Sequence, residues 1–403
     1  MPILFLAAYA CSGLASLIYE VAWTRLLTLY MGHGLAAAST VVAAFMGGLA
    51  AGSFLGGRVA PRLTPARTLY TYIALELTVA AIAIVVPYEL AALTPLLVWS
   101  YRNGATGFLF SSIRLVSCLT LMFVPALALG ATFPIAVRWF VRSGEAGRGG
   151  GALYAANTVG AAAGALAAGF VLIPAIGVRA TTFVGIAAAG VACAAALVIV
   201  RRGDRVQRPL QVGRPFQGRR RGPERPAPQQ ARSPSWLPAV ALGISGFAAL
   251  MYEIAWTRAL ALVVGPTTYA FSATVTALVA GTAIGSTLGA AFSARTRRPA
   301  VALSLVLALA SIAMIWSGAL IGGYVPRLIA RSLARSSAFN QSLPEHTLLA
   351  AALLLPAAVC LGAAFPLAFD MAGRSDGSSA RSISVVYAVN TVAAVGGSLA
   401  AGF

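Results

Sequence analysis

Long apolar blocks recur along this chain, separated by short breaks that carry Arg, Gly and Pro. A helix needs about 20 apolar residues to cross a bilayer, whereas a barrel strand needs only about 9–11. The block lengths therefore predict helices, in which each backbone polar group is satisfied within its own segment. Spans are expected at 3–31, 35–57, 68–98, 109–137, 151–173 and 180–200, then at 236–264, 268–293, 300–323, 347–371 and 383–403. The predicted fold class is all-α, a polytopic membrane bundle of about 11 transmembrane helices.

Composition narrows the class further. Of 403 residues, 59% are hydrophobic and 10% charged, and the mean hydropathy is +0.84, which excludes a water-soluble globular domain. The opening MPILFLAAYA lacks the basic leader of a signal peptide, its first basic residue being Arg25, and a similar block begins again at residue 236. It is read as the first span. The net charge of +19 comes entirely from arginine, since the chain has no lysine. Ten of the 29 arginines fall in residues 201–235 and most others at the ends of apolar blocks, so the charge reports membrane topology and no nucleic acid is implied. Cys11, Cys118, Cys193 and Cys360 are far apart and form no CxxC pair; no metal and no cofactor is indicated.

The chain also contains itself twice. SGLASLIYEVAWTR at 12–25 returns as SGFAALMYEIAWTR at 245–258, and the ladder Gly48, Gly52, Gly56 returns as Gly281, Gly285, Gly289. GATFP at 130–134 returns as GAAFP at 362–366, and YAANTV at 154–159 as YAVNTV at 387–392. These landmarks keep one register within a residue, which predicts an internal repeat. Residues 1–200 form the first six-helix membrane repeat, 201–235 a disordered Arg/Pro-rich cytoplasmic linker, and 236–403 a second repeat that stops after its fifth helix. A twelfth helix is expected in the full protein. With the linker in the cytoplasm, 21 arginines lie inside and five outside, so the positive-inside rule places the N-terminus inside. In VPRLIARSLARSSAF, Arg327, Arg331 and Arg335 recur every four residues, the pattern of a short interfacial helix.

Few residues in the spans carry chemistry. Glu20 and its counterpart Glu253 lie deep in the first and seventh spans, where an isolated carboxylate costs several kcal/mol on insertion scales, roughly 2.5–3.5. Trp23 and Thr24 share a helical face with Glu20, and Trp256 and Thr257 share one with Glu253. If the repeats pack about a twofold axis along the membrane normal, as the parallel halves of major facilitator (MFS) transporters do, the two acids share a cavity. Two carboxylates with neighbouring indole and phenol rings suit an organic cation, and they would also serve as proton carriers. The alternative is a structural ion pair, with Arg25 or Arg258 reaching a carboxylate on a neighbouring helix.

Secondary candidates follow. Glu76 in the third span has no acidic counterpart, and Asp370 is expected at an interface near Arg374. Tyr154 and Asn157 with Thr158, matched by Tyr387 and Asn390 with Thr391, lie on one helical face each; interhelical hydrogen bonding is favoured there over substrate contact. The glycine ladders are read as close helix packing, and Pro134 and Pro366 as hinges or helix ends. No Walker loop, HExxH or strand-borne GxGxxG is present, and His33 and His346 both fall near outer loops, so these residues hold no soluble catalytic apparatus.

The motifs SGxxxLxYExAWTR, GATFP and LYAANTVGAAAGALAAGFVLIPAIG resemble the membrane portion of bacterial fused transporter and spermidine synthase-like proteins, over nearly the whole chain. The resemblance implies a bacterial inner-membrane location. It also implies a missing C-terminal cytoplasmic domain of the spermidine synthase type, a polyamine aminopropyltransferase, beyond Phe403. Two functions are thus expected: a transporter-like domain moving polyamines or other small organic cations, or an anchor for that aminopropyltransferase-like domain.

Overall fold

The computed structural model describes residues 2–31, 35–104, 108–141, 149–206, 236–264, 268–324, 326–327, 330–331, 339–376 and 379–402. Most of the expected linker and most of the expected interfacial helix lie outside the described residues. The described residues are almost all in long helices.

Among the described residues eleven long α-helices follow one another: α1 (Pro2–Met31), α2 (Leu35–Val59), α3 (Pro65–Gly104), α4 (Phe108–Phe140), α5 (Gly151–Ala167), α6 (Ile173–Val206), α7 (Leu237–Val264), α8 (Thr268–Ser293), α9 (Pro299–Gly323), α10 (Phe339–Asp376) and α11 (Ser379–Gly402). A 3-10 turn (Ala60–Arg62) leads into α3, and a π-helical turn (Ala168–Leu172) joins α5 to α6. Nine segments among the described residues are long and apolar enough to cross a membrane. One of these, Gly151–Arg202, takes in both α5 and α6. The chain turns within it at Gly177, whose φ of +77° lies in the left-handed region that a Cβ disfavours.

Several helices outrun their expected bounds. α3 is 40 residues long and continues through Pro87 and Pro95. Pro134 and Pro366 do not end their helices: α4 runs on to Phe140 and α10 to Asp376. A proline removes one backbone donor and disturbs one turn, and neighbouring helices can absorb that loss within a membrane bundle.

The glycine ladders allow close contacts between helix backbones. A methyl group at Gly52 would strike the Leu127 carbonyl of α4, and one at Gly285 the Val359 carbonyl of α10. The backbones of α2 and α4, and of α8 and α10, therefore touch without side chains between them. α1 packs on α5 and α6, and α7 on α11. The broadest contacts between the N-terminal and C-terminal helices are those of α2 with α11 and of α5 with α8. Exchanging each helix for its counterpart turns one of these contacts into the other. The space between the two halves is lined by α1, α2, α4 and α5 on one side and α7, α8, α10 and α11 on the other.

Candidate functional site

A central cavity of about 270 Å³ is bounded by residues from both ends of the chain. On α1, Ser12, Ser16 and Glu20 line it at intervals of four residues, one face of the helix. On α7, Ser245, Ala249 and Glu253 line it in the same spacing. The two acids thus open onto one space, and they are close enough for the charge of one to act on the other. Both side chains are half-buried.

The ion pairs weighed for these acids are not formed among the described residues. Arg25 is half-buried and Arg258 exposed, and no arginine acts on either carboxyl group or lines the cavity. A hollow with two acids and no base becomes negative whenever either carboxyl group ionises, and its low-dielectric walls strengthen the field of such a charge.

The neighbouring residues on the two sequence motifs are placed elsewhere. Trp23 is 2% exposed, stacks on Tyr19 at 5.2 Å and packs among α2, α3 and α4. Together with Thr24 it lines a small separate pocket that touches Glu20 from behind. Trp256 is buried against Leu278 and Leu354, and neither it nor Thr257 lines the cavity. Sharing a helical face with Glu20 was too coarse a criterion, because a face three to four residues wide spans both the cavity and the adjoining helix contact.

The rings that do line the cavity are phenols and phenyls. Tyr154 of α5 stacks on Phe365 of α10 with ring centres 4.2 Å apart, and Tyr387 of α11 lies on Phe133 of α4 at 4.3 Å. Each pair joins a helix of the first block to one of the second. Phe133 also meets Phe369 at 6.0 Å, so the pairs merge into the buried cluster that includes Leu153, Ile383 and Val386. The helix ends here carry Arg58, Arg62 and Arg138, so this aromatic layer is the floor of the cavity on the arginine-bearing side. Its signal was available in the repeated motifs, since Phe133 and Phe365 occupy one position of GATFP and GAAFP.

Asn157 and Asn390 line the same cavity. The Asn157 Nδ2 donates to the Tyr9 carbonyl of α1 at 3.3 Å, the interhelical bond expected from its position. The Asn390 Oδ1 is buried with no hydrogen-bond partner, beside Gly246 of α7. Thr158 and Thr391 donate back to the carbonyls of Tyr154 and Tyr387 in their own helices.

Glu76 lies outside the cavity wall and is 1% exposed. The Ser12 hydroxyl donates to its Oε1. Asp370 is half-buried on α10, and the expected contact with Arg374 falls outside the described side chains. A larger hollow of about 700 Å³ at the arginine-bearing end is lined by Arg58, Arg62, Arg138 and Ser384. Its three arginines are exposed, as membrane topology alone requires.

No family model matches the chain, and no curated protein matches it. Among solved structures it is similar to an auto-inhibited POT family peptide transporter, at 16% identity and a TM-score of 0.42, over 100% of this chain and 88% of the other.

Proposed function

We propose that the chain is the membrane domain of a transporter of small organic cations, polyamines being the chemical class that fits best. Its helices are read as two parallel repeats in an MFS-like arrangement, with the N-terminus on the cytoplasmic side of a bacterial inner membrane. The observation that carries this reading is that Glu20 and Glu253, from separate helices 233 residues apart in sequence, face one cavity that holds no basic residue. A cation entering that space satisfies both carboxylates, and the Asn390 Oδ1 is a further free acceptor. The rings of Tyr154 and Tyr387 offer π-faces to an ammonium group, each contact worth about 0.5–2 kcal/mol.

The floor supports an alternating-access mechanism. Its two aromatic pairs join α5 to α10 and α11 to α4, so rocking one repeat against the other parts both pairs together. Acidification weakens cation binding, because protonating Glu20 and Glu253 removes the charge that holds the ligand.

Labelled spermidine in proteoliposomes tests the reading. Wild type carries it across the bilayer, and Glu20→Gln and Glu253→Gln each abolish flux while eluting as folded protein. The second reading, an anchor for an aminopropyltransferase-like cytoplasmic domain, is favoured by the closed aromatic packing at the arginine-bearing end. It predicts no flux from folded wild type.

A further inference from the structure

Glu76 is the one acid of the described helices that is closed off from both the cavity and the outer surface yet tied to the cavity by a hydrogen bond. We infer that Glu76 is a proton-binding site that exchanges its proton with the cavity through the Ser12 hydroxyl and couples proton movement to the cation site. The coupling half of this inference rests on the function proposed above; the proton site itself does not.

The surroundings of Glu76 contain hydroxyls and a thiol but no cation. From its own helix, α3, the Tyr72 hydroxyl lies beside it. From α1 come Tyr9, Ser12 and Tyr19, and from α6 Cys193. α4, which also packs on α3, contributes no charged or titratable side chain that acts on Glu76 among the described residues. An ionised carboxylate held only by neutral groups in an apolar bundle is costly, so the site stores a proton and gives it up when a path to water opens. Such a group must also have hydrogen-bond partners that can reverse. The Tyr72 hydroxyl is buried beside it and can turn toward the carboxyl group as its proton leaves.

The path runs along one face of α1. Ser12 donates to Glu76 and lines the cavity, Ser16 lines it one turn further on, and Glu20 follows one turn beyond. Ser12 passes its proton to Glu76 and takes another from the cavity side, so the relay leaves the serine unchanged. A proton on Glu76 and a cation at Glu20 therefore communicate along a stripe of two hydroxyls.

Infrared difference spectroscopy of the full chain in liposomes, between acid and alkaline pH, reads the proton site directly. Wild type shows the carbonyl stretch of a protonated carboxyl that is missing in Glu76→Gln and shifted in Ser12→Ala, since the serine hydrogen bond perturbs it. Identical spectra from wild type and Glu76→Gln overturn the inference. The coupling is read with labelled spermidine: Glu76→Gln still exchanges it at equal pH on both sides but no longer accumulates it against a pH gradient. Accumulation equal to wild type overturns the coupling. If folded wild type neither binds nor exchanges spermidine, the cation-transport proposal fails, and the infrared titration still decides whether Glu76 takes up a proton.

Discussion

α3 and α9 begin alike, at Pro65 and Pro299, and both bury a leucine four residues on, Leu69 and Leu303. Two turns later they diverge. Counted from the prolines, Tyr72 stands where α9 has Val306, and Glu76 where it has Ala310. The facing residue on α1 is Tyr9, and on α7 it is Leu242. Ser12 consequently has a carboxyl group to bond, while α9 carries Ala310 at the matching position and offers Ser245 no acid. Further along, the difference is reversed. Tyr252 of α7 finds Ser317 of α9 at 2.6 Å, whereas Tyr19 of α1 faces the helix that carries Ala83 and keeps an unpartnered hydroxyl. The two halves thus present cavity acids at matching places, Glu20 and Glu253, while only the first adds a buried acid, Glu76. On the reading proposed above, the cation site belongs to α1 and α7 together, and the proton site to α1 and α3 alone.

The largest effect should come from the feature the two copies share most closely. Gly52→Leu forces a side chain between α2 and α4, and Gly285→Leu does so between α8 and α10, where no space exists. Overpacking of this kind costs about 1–3 kcal/mol when neighbours can yield, and carbonyl groups cannot. Both variants are expected to lose most of their monodisperse peak in detergent; loss in only one would show that the copies pack differently.

Next is the cavity. Removing either charge should weaken cation binding by roughly tenfold, about 1.4 kcal/mol, and by a similar factor for Glu20→Gln and Glu253→Gln. A strongly unequal pair of affinities in a filter-binding assay would break the symmetry of the site.

The serines sharpen the contrast. Ser12→Ala strips Glu76 of a buried donor and is expected to lower stability by about 1–3 kcal/mol. Ser245→Ala should stay within about 0.5 kcal/mol, having no such partner. Equal shifts in thermal unfolding would remove the distinction. Tyr252→Phe loses its bond to Ser317 and should cost about 1 kcal/mol, while Tyr19→Phe deletes an unpartnered hydroxyl and should be neutral or mildly stabilising.

Much of this was readable from the chain before its fold. The helix spans follow from apolar block length, and the glycine ladders announced backbone contact by their spacing alone. Glu20 and Glu253 stood out because each breaks an apolar run at the same place in a repeated motif. What could not be read were contacts between residues distant in sequence. Ser12 and Glu76 are 64 residues apart, and no local pattern marks them as partners. The indoles were misjudged for a related reason: periodicity tells which residues share a face, and only the neighbouring helices decide which part of that face is hollow. The run of α3 through two prolines was equally hidden, because its neighbours and not its own sequence compensate the missing donors.

The central claim is that two acids from the two copies form one cation site. Equilibrium binding of radiolabelled spermidine to the purified chain in lipid tests it most directly. The account predicts one site per chain in wild type, weakened alike by Glu20→Gln or Glu253→Gln and lost in the double variant. Binding that survives the double substitution in folded protein, or two independent sites each answering to one acid, would contradict it.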